Sequence, residues 1–333
     1  MIGESFKYFG RGFAESLLAT TANPYTGLFI GILATSLVQS SSTVTSIVVG
    51  LVAGGGLTLF GGIPIIMGAN LGTSVTNTIV SVGHISRPHE FRRAVAAATV
   101  HDFFNIMTIA VFFPLQVATD FLGKASSLLS RIIVMEGLEA ANPLRAAVKP
   151  AVGALTDLSG ESGAIMLGTA AVLLFISLRY IVVVLRMLVI GRVERFFDRT
   201  LFRSSLTALA FGVVLTVMVQ SSSISTSLVV PLAGAGILTL RQIFPFTLGA
   251  NVGTTLTAMM AAFVTGSPAA VTVAFAHFLF NVFGIVLVWP MRTVPIRLAE
   301  GLAGMAARSR IIPLLYVATV FYGIPLLLVF VTR

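Results

Sequence analysis

Two four-residue runs hold the side chains most able to do chemistry. Gln39-Ser40-Ser41-Ser42 and Gln220-Ser221-Ser222-Ser223 each set an amide and three hydroxyls in a row inside a long apolar stretch. Polar groups in such surroundings need hydrogen-bond partners, water or a ligand. A second motif follows each run, Gly68-Ala69-Asn70-Leu71-Gly72-Thr73 and Gly249-Ala250-Asn251-Val252-Gly253-Thr254. Hydroxyls, amide N–H and the free N–H groups of a helix start suit an oxyanion. Amide, hydroxyl and carbonyl oxygens suit a hard monovalent cation. No Lys or Arg lies within the membrane segments of either copy. An anion held there would lack a protein cation, at a cost of many kcal/mol, and bound cations would supply the charge. The chemistry is that of a cation-coupled anion carrier, with both ions open at this point. Asp102 adds an acid within an apolar helix, with Asn105 on the same face at i,i+3. Its bland alternative is a lipid-interface acid paired with an Arg. His101 and His277 occupy matched positions, as structural hydrogen-bonders or as functional groups.

Each signal has a plainer reading. A Ser-rich turn in a membrane helix often bonds back to its own backbone, and Gly-Ala-Asn-x-Gly-Thr could be a small-residue packing face. Duplication weighs against that. Gln39–Thr76 and Gln220–Thr257 align without a gap at an offset of 181, with 20 identities in 38 positions. The register then shifts by five, and His101, Phe104 and Asn105 match His277, Phe280 and Asn281. An enzyme is not expected: GxSxG, HExxH and paired-Asp motifs are absent. No cofactor is expected either, since the chain has no cysteine and the ions would be co-substrates.

The elements that must position these residues follow from composition. The 333 residues are 56% hydrophobic and 10% charged, against about 25% charged in soluble domains. That is an integral membrane protein in the lipid bilayer, and its apolar runs have helical length. The net charge of +9 does not indicate nucleic acid, because the basic residues lie between apolar runs, where they set topology.

Five regions are expected. Residues 1–22 form an amphipathic segment and 23–119 a first transport repeat. Residues 120–203 are a linker plus a connecting span over 163–190, which contains Arg179. Residues 204–291 form a second repeat, and 292–333 an interfacial helix and a last span. Residues 25–54 and 204–237 read as re-entrant helical hairpins with the Gln-Ser-Ser-Ser runs at their tips. Their halves are too short to cross a core of about 30 Å at about 1.5 Å per residue. Residues 61–83 and 242–266 read as broken helices. Three crossings between the hairpins invert the second repeat, a pattern of secondary transporters. The fold class is all-α and polytopic, with two inverted-topology repeats. Placing 84–93 inside puts 13 Lys and Arg on the inner side against 7 outside, with both termini outside. An upstream span absent from this chain would account for that sidedness.

The paired Gln-Ser-Ser-Ser runs, Gly68–Thr78, Glu90–Asn105 and the stretch from Ala276-His277 through Pro295–Gly304 resemble the type II sodium-dependent phosphate cotransporters over nearly the whole chain. The resemblance implies sodium-coupled import of inorganic phosphate, preferentially divalent, across a cell inner (plasma) membrane. Another oxyanion (sulfate or arsenate) is the alternative cargo, and a phosphate sensor or passive channel the alternative class. Gln220, Ser221, Thr254 and Thr257 resemble a family sodium site, and internal symmetry adds Gln39, Ser40, Thr73 and Thr76. Phosphate is then expected near Ser41, Ser42, Thr43, Ser222 and Ser223, with Asn70 and Asn251 close by. Asp102 matches the family aspartate associated with an additional sodium and electrogenic transport, with Asn105 and Thr78 as companions. His84 and Arg87 depart from the family pattern around that third site. The short, cysteine-free linker fits a bacterial member, and the oligomeric state is left open.

Overall fold

The computed structural model describes residues 21–135, 143–158, 162–170, 172–173, 176 and 202–332. Most of the segment expected over 1–22 and most of the span expected over 163–190, Arg179 included, lie outside them. The described residues are helical, with no strand among them.

Helix α1 (Pro24–Val38) starts under an Asn23 cap, whose Oδ1 accepts from the Tyr25 N–H, with proline in the first turn. It ends at Gln39, which adopts the left-handed conformation at φ 57°. Ser40 is extended and caps α2 (Ser41–Ala53), its Oγ accepting from Thr43 N–H at 3.2 Å. One helix therefore stops and the next starts within two residues. The second copy repeats this. Helix α8 (Ser205–Val219) opens on a Ser204–Thr207 capping box, Gln220 is left-handed at φ 57°, and Ser221 caps α9 (Ser222–Gly234). These helices have 13 or 15 residues, about 20–22 Å at 1.5 Å per residue.

Between these two helix pairs lie α3 (Leu59–Gly72), α4 (Val75–Val82), α5 (Pro88–Thr119), α6 (Phe121–Met135) and α7 (Pro143–Leu158). After α9 come α10 (Leu240–Thr265), α11 (Pro268–Val288), α12 (Thr293–Arg308), α13 (Ile312–Val317), a π-helical turn over Ala318–Gly323 and α14 (Ile324–Thr332). Five stretches among the described residues are long and apolar enough to cross a membrane: Leu59–Val82, Pro88–Thr119, Leu240–Thr265, Pro268–Val288 and Ile312–Thr332.

Glycines let α1 lie against α3, and α8 against α10, with backbones in contact. A Cβ at Gly68 would overlap the Leu28 carbonyl oxygen, and one at Gly31 the Ile65 carbonyl oxygen. Gly249 and Gly212 stand in the same relation to Leu209 and Phe246. The glycines of Gly-Ala-Asn-x-Gly-Thr are thus the packing face that small residues provide in membrane helices. Gly249→Ala should force the helices apart, at about 1–3 kcal/mol or more. The expected result is a clear fall in the thermal unfolding midpoint of detergent-purified protein. Gly153→Ala, where no described atom lies within 4 Å of the added carbon, should not lower it.

One sequence expectation needs correction. The first helix of this type breaks at Thr73-Ser74, between α3 and α4, but the second runs unbroken as α10 from Leu240 to Thr265. The residues after the motif explain the difference. Ser74-Val75-Thr76-Asn77-Thr78 is polar and β-branched, whereas Thr255-Leu256-Thr257-Ala258-Met259-Met260-Ala261 is rich in good helix formers.

The halves interlock. Helix α2 packs on α10 and α11, and α9 packs on α4 and α5. Gln242 Nε2 donates to the Phe202 carbonyl at 3.4 Å, and Arg93 donates to the Gly234 carbonyl. Those bonds gather the start of α8, the end of α9 and the starts of α5 and α10 at one end of the bundle. Gly61 lies against the Thr21 carbonyl, which sets the start of α1 beside the start of α3.

Candidate ion-binding site

The two helix breaks meet. Ser42 Oγ donates to the Gln220 carbonyl at 3.4 Å, and Ser223 Oγ donates to the Thr73 carbonyl at 3.3 Å. The second contact uses a carbonyl at the break between α3 and α4. Ser41, Ser42, Thr43, Ser222 and Ser223 are all buried, at 3–7% exposure. Ser40 caps the N–H of Thr43 and also accepts from its hydroxyl at 2.8 Å. The first N–H groups of α2 and α9 are the ones an α-helix leaves without intrahelical partners, and they carry the positive end of its dipole.

Each glutamine has two tasks, which its amide can do at once. Gln220 Nε2 donates to the Val217 carbonyl at 2.7 Å, satisfying an acceptor at the end of α8. Its Oε1 accepts from Thr257 Oγ1 at 2.8 Å. Gln39 does the same, with the Ser36 carbonyl and with Thr76. Left-handed backbone is uncommon for a residue with a side chain. Among the described residues only Gln39, Asp120 and Gln220 adopt it without being glycine. Gln39 and Thr76 are thus brought together, as are Gln220 and Thr257. Thr73 and Thr254 bond back to the Ala69 and Ala250 carbonyls at 3.0 and 3.1 Å.

Behind the breaks lies a buried His–Asn core that ties the halves crosswise. His101 Nε2 pairs with Asn251 Oδ1, and His277 Nε2 with Asn70 Oδ1 at 3.4 Å. Asn70 Nδ2 donates to Asn105 and Asn281, and Asn251 Nδ2 to Asn105, each at 3.0 Å. Asn105 Nδ2 also donates to the Asn70 carbonyl at 3.0 Å. The asparagines expected beside the anion therefore have their side-chain amides engaged with this core. Asn105, expected beside Asp102, belongs to it as well.

Asp102 stands apart. It is fully buried, and among the described residues neither carboxylate oxygen has a hydrogen-bond partner. The Ser74 and Tyr316 hydroxyls face it, and the Tyr316 hydroxyl is itself without a partner. Thr78, one turn beyond Ser74 on α4, is fully buried with an unpartnered Oγ1. Ser74, Tyr316 and the Thr226–Asn77 bond of 3.0 Å escaped the sequence reading. Ser74 and Asn77 adjoin a recognised motif, whereas Tyr316 sits in an apolar run with no local signal. Among the described residues no cluster of three His, Cys, Asp or Glu side chains could hold a multivalent metal. The donors around the breaks are hydroxyl, amide and carbonyl oxygens, with a single carboxylate at Asp102.

Comparison with known proteins gives the same direction. The Na+/Pi-cotransporter family matches residues 1–137 and 173–306. The chain is 32% identical to sodium-dependent phosphate transport protein 2A of Rattus norvegicus over 385 residues, covering 92% of this chain and 60% of the relative. It is 32% identical to protein 2B of Homo sapiens over 417 residues, covering 96% and 60%. The chain thus spans about 60% of the length of these curated relatives. No solved structure matches it. With most of its length matched, this chain belongs to the Na+/Pi-cotransporter family.

Proposed function

We propose that the protein is a sodium-coupled symporter that imports inorganic phosphate by alternating access, as a multi-pass protein of a cell inner (plasma) membrane. The observation that carries this reading is the meeting of the two Gln-Ser-Ser-Ser breaks with each other and with the α3–α4 break. Each break sets the carbonyl end of one helix beside the N–H end of the next. The first suits a cation and the second an anion. The sodium-dependent phosphate transport proteins among its relatives agree with that pairing of ions.

In this reading one sodium lies at Gln220, Ser221, Thr254 and Thr257, and a partner at Gln39, Ser40, Thr73 and Thr76. Phosphate, taken as the divalent anion, lies between the α2 and α9 starts, at Ser41, Ser42, Thr43, Ser222 and Ser223. Asn70 and Asn251 act from behind, through the His–Asn core. Asp102 holds a third sodium with Thr78, and Asn105 supports its helix. The α1–α2 and α8–α9 pairs are read as re-entrant hairpins of two inverted repeats. Their short helices and the gathering of Arg93, Gly234, Phe202 and Gln242 at one end support this.

Radiolabelled phosphate uptake into proteoliposomes tests the reading. An inward sodium gradient should drive accumulation that an equal potassium gradient does not, and Gln220→Ala should abolish it. Accumulation that survives the substitution would move the site elsewhere. No accumulation of phosphate, with uptake of sulfate or arsenate instead, would change the cargo.

A further inference from the structure

A cavity at the basic end of the bundle is distinct from the breaks. It measures about 490 Å3 and lies among the first turns of α5, the end of α9, the start of α10 and α12. Arg92, Arg93 and Glu300 line it, with His89 beside them. Arg93 donates from Nε and Nη2 to the Gly234 carbonyl at 2.9 and 2.6 Å, and its other N–H donors have no partner among the described residues. Arg92 is exposed. The ion pairs at this end, His84–Glu90 and Arg87–Glu90, involve neither of these arginines and not Glu300. Two guanidinium groups therefore face one cavity with a single acid nearby, and among the described residues none of the three is neutralised by a pair. Planar guanidinium forks match phosphate oxygens. The floor is apolar, made of Ala96, Ala233, Leu238 and Ala303.

We propose that this cavity binds a phosphate-group anion, held by Arg92 and Arg93. Two sources fit that chemistry, an anionic phospholipid headgroup and free phosphate. The apolar floor and the position favour the first, since candidate spans Pro88–Thr119 and Leu240–Thr265 both begin here. Basic clusters at that depth attract anionic headgroups. Because Arg93 grips the last residue of α9, occupancy would bear on the helix that begins at Ser222.

The test uses the full chain in neutral detergent without sodium, so its outcome does not depend on coupled transport. Thermal stabilisation is titrated with phosphatidylglycerol in mixed micelles, with phosphatidylcholine as the uncharged comparison, and separately with inorganic phosphate. The variants are Arg92→Gln and Glu300→Gln. Arg92→Gln should raise the half-saturating concentration about fivefold, as one basic residue near an anionic surface implies. Glu300→Gln should lower it by a similar factor, a direction that misfolding does not imitate. This order of effects with phosphatidylglycerol alone identifies a headgroup, and the same order with inorganic phosphate identifies the soluble anion. Midpoints that ignore both Arg92 and Glu300, or no response to either anion, would overturn the proposal.

Discussion

Asp102→Gly should leave phosphate uptake running while abolishing its current. Three sodium ions moving with divalent phosphate carry one net positive charge, and two carry none. In the proposed reading the third ion is the one at Asp102. Its carboxylate is fully buried and, among the described residues, unpartnered, with the Ser74 and Tyr316 hydroxyls facing it. A lone carboxylate in such a place is costly unless a cation joins it, and the unpartnered Thr78 hydroxyl offers a further oxygen. The energetic consequence is large. At a tenfold sodium gradient and 100 mV, losing one sodium and its charge lowers the attainable accumulation ratio by roughly 500-fold. Current in voltage-clamped membranes and the plateau of uptake both read this. Glycine inside a helix costs about 1 kcal/mol, so Asp102→Ala should behave alike and separate backbone from charge. Full current in both variants would remove Asp102 from the coupling site.

Much of this was legible from the repeat itself. The gapless offset of 181 residues predicted that whatever Gln39 does, Gln220 does also, and both are left-handed residues bonded to a threonine 37 positions on. The all-helical, membrane-spanning character followed from the apolar runs. Other features were out of reach because they depend on tertiary pairing. The crossing of His101 to Asn251 and of His277 to Asn70 joins residues 150 and 207 positions apart, and no local pattern encodes it. The two readings of Gly-Ala-Asn-x-Gly-Thr, packing face or polar site, proved to be divided by residue: the glycines pack and the asparagine bonds. The symmetry does not extend to the break at Thr73-Ser74: at Thr254-Thr255 the alanine- and methionine-rich continuation keeps α10 helical.

Ser222→Asp is expected to eliminate phosphate transport while leaving sodium binding in place. Ser222 is the first residue of α9, just after its Ser221 cap, and is 3% exposed. A carboxylate there is favourable for the helix, because it sits at the positive end of the dipole. It would also occupy the region that the proposal gives to the anion. Two like charges about 4 Å apart repel by about 4 kcal/mol at an effective dielectric constant of 20, or roughly 1,000-fold in affinity, and a divalent anion feels more. Sodium should gain, since the added charge is negative. The checks are phosphate uptake in proteoliposomes and sodium-dependent thermal stabilisation of the purified protein. Ser222→Asn, neutral and close in size to Asp, should retain part of the uptake, which assigns the loss to charge. Uptake that persists in Ser222→Asp would place phosphate away from the paired helix starts. Loss of sodium stabilisation in Ser222→Asp alone would mean that cation and anion share one compartment there, and that the carbonyl and N–H ends of each break do not act as separate sites.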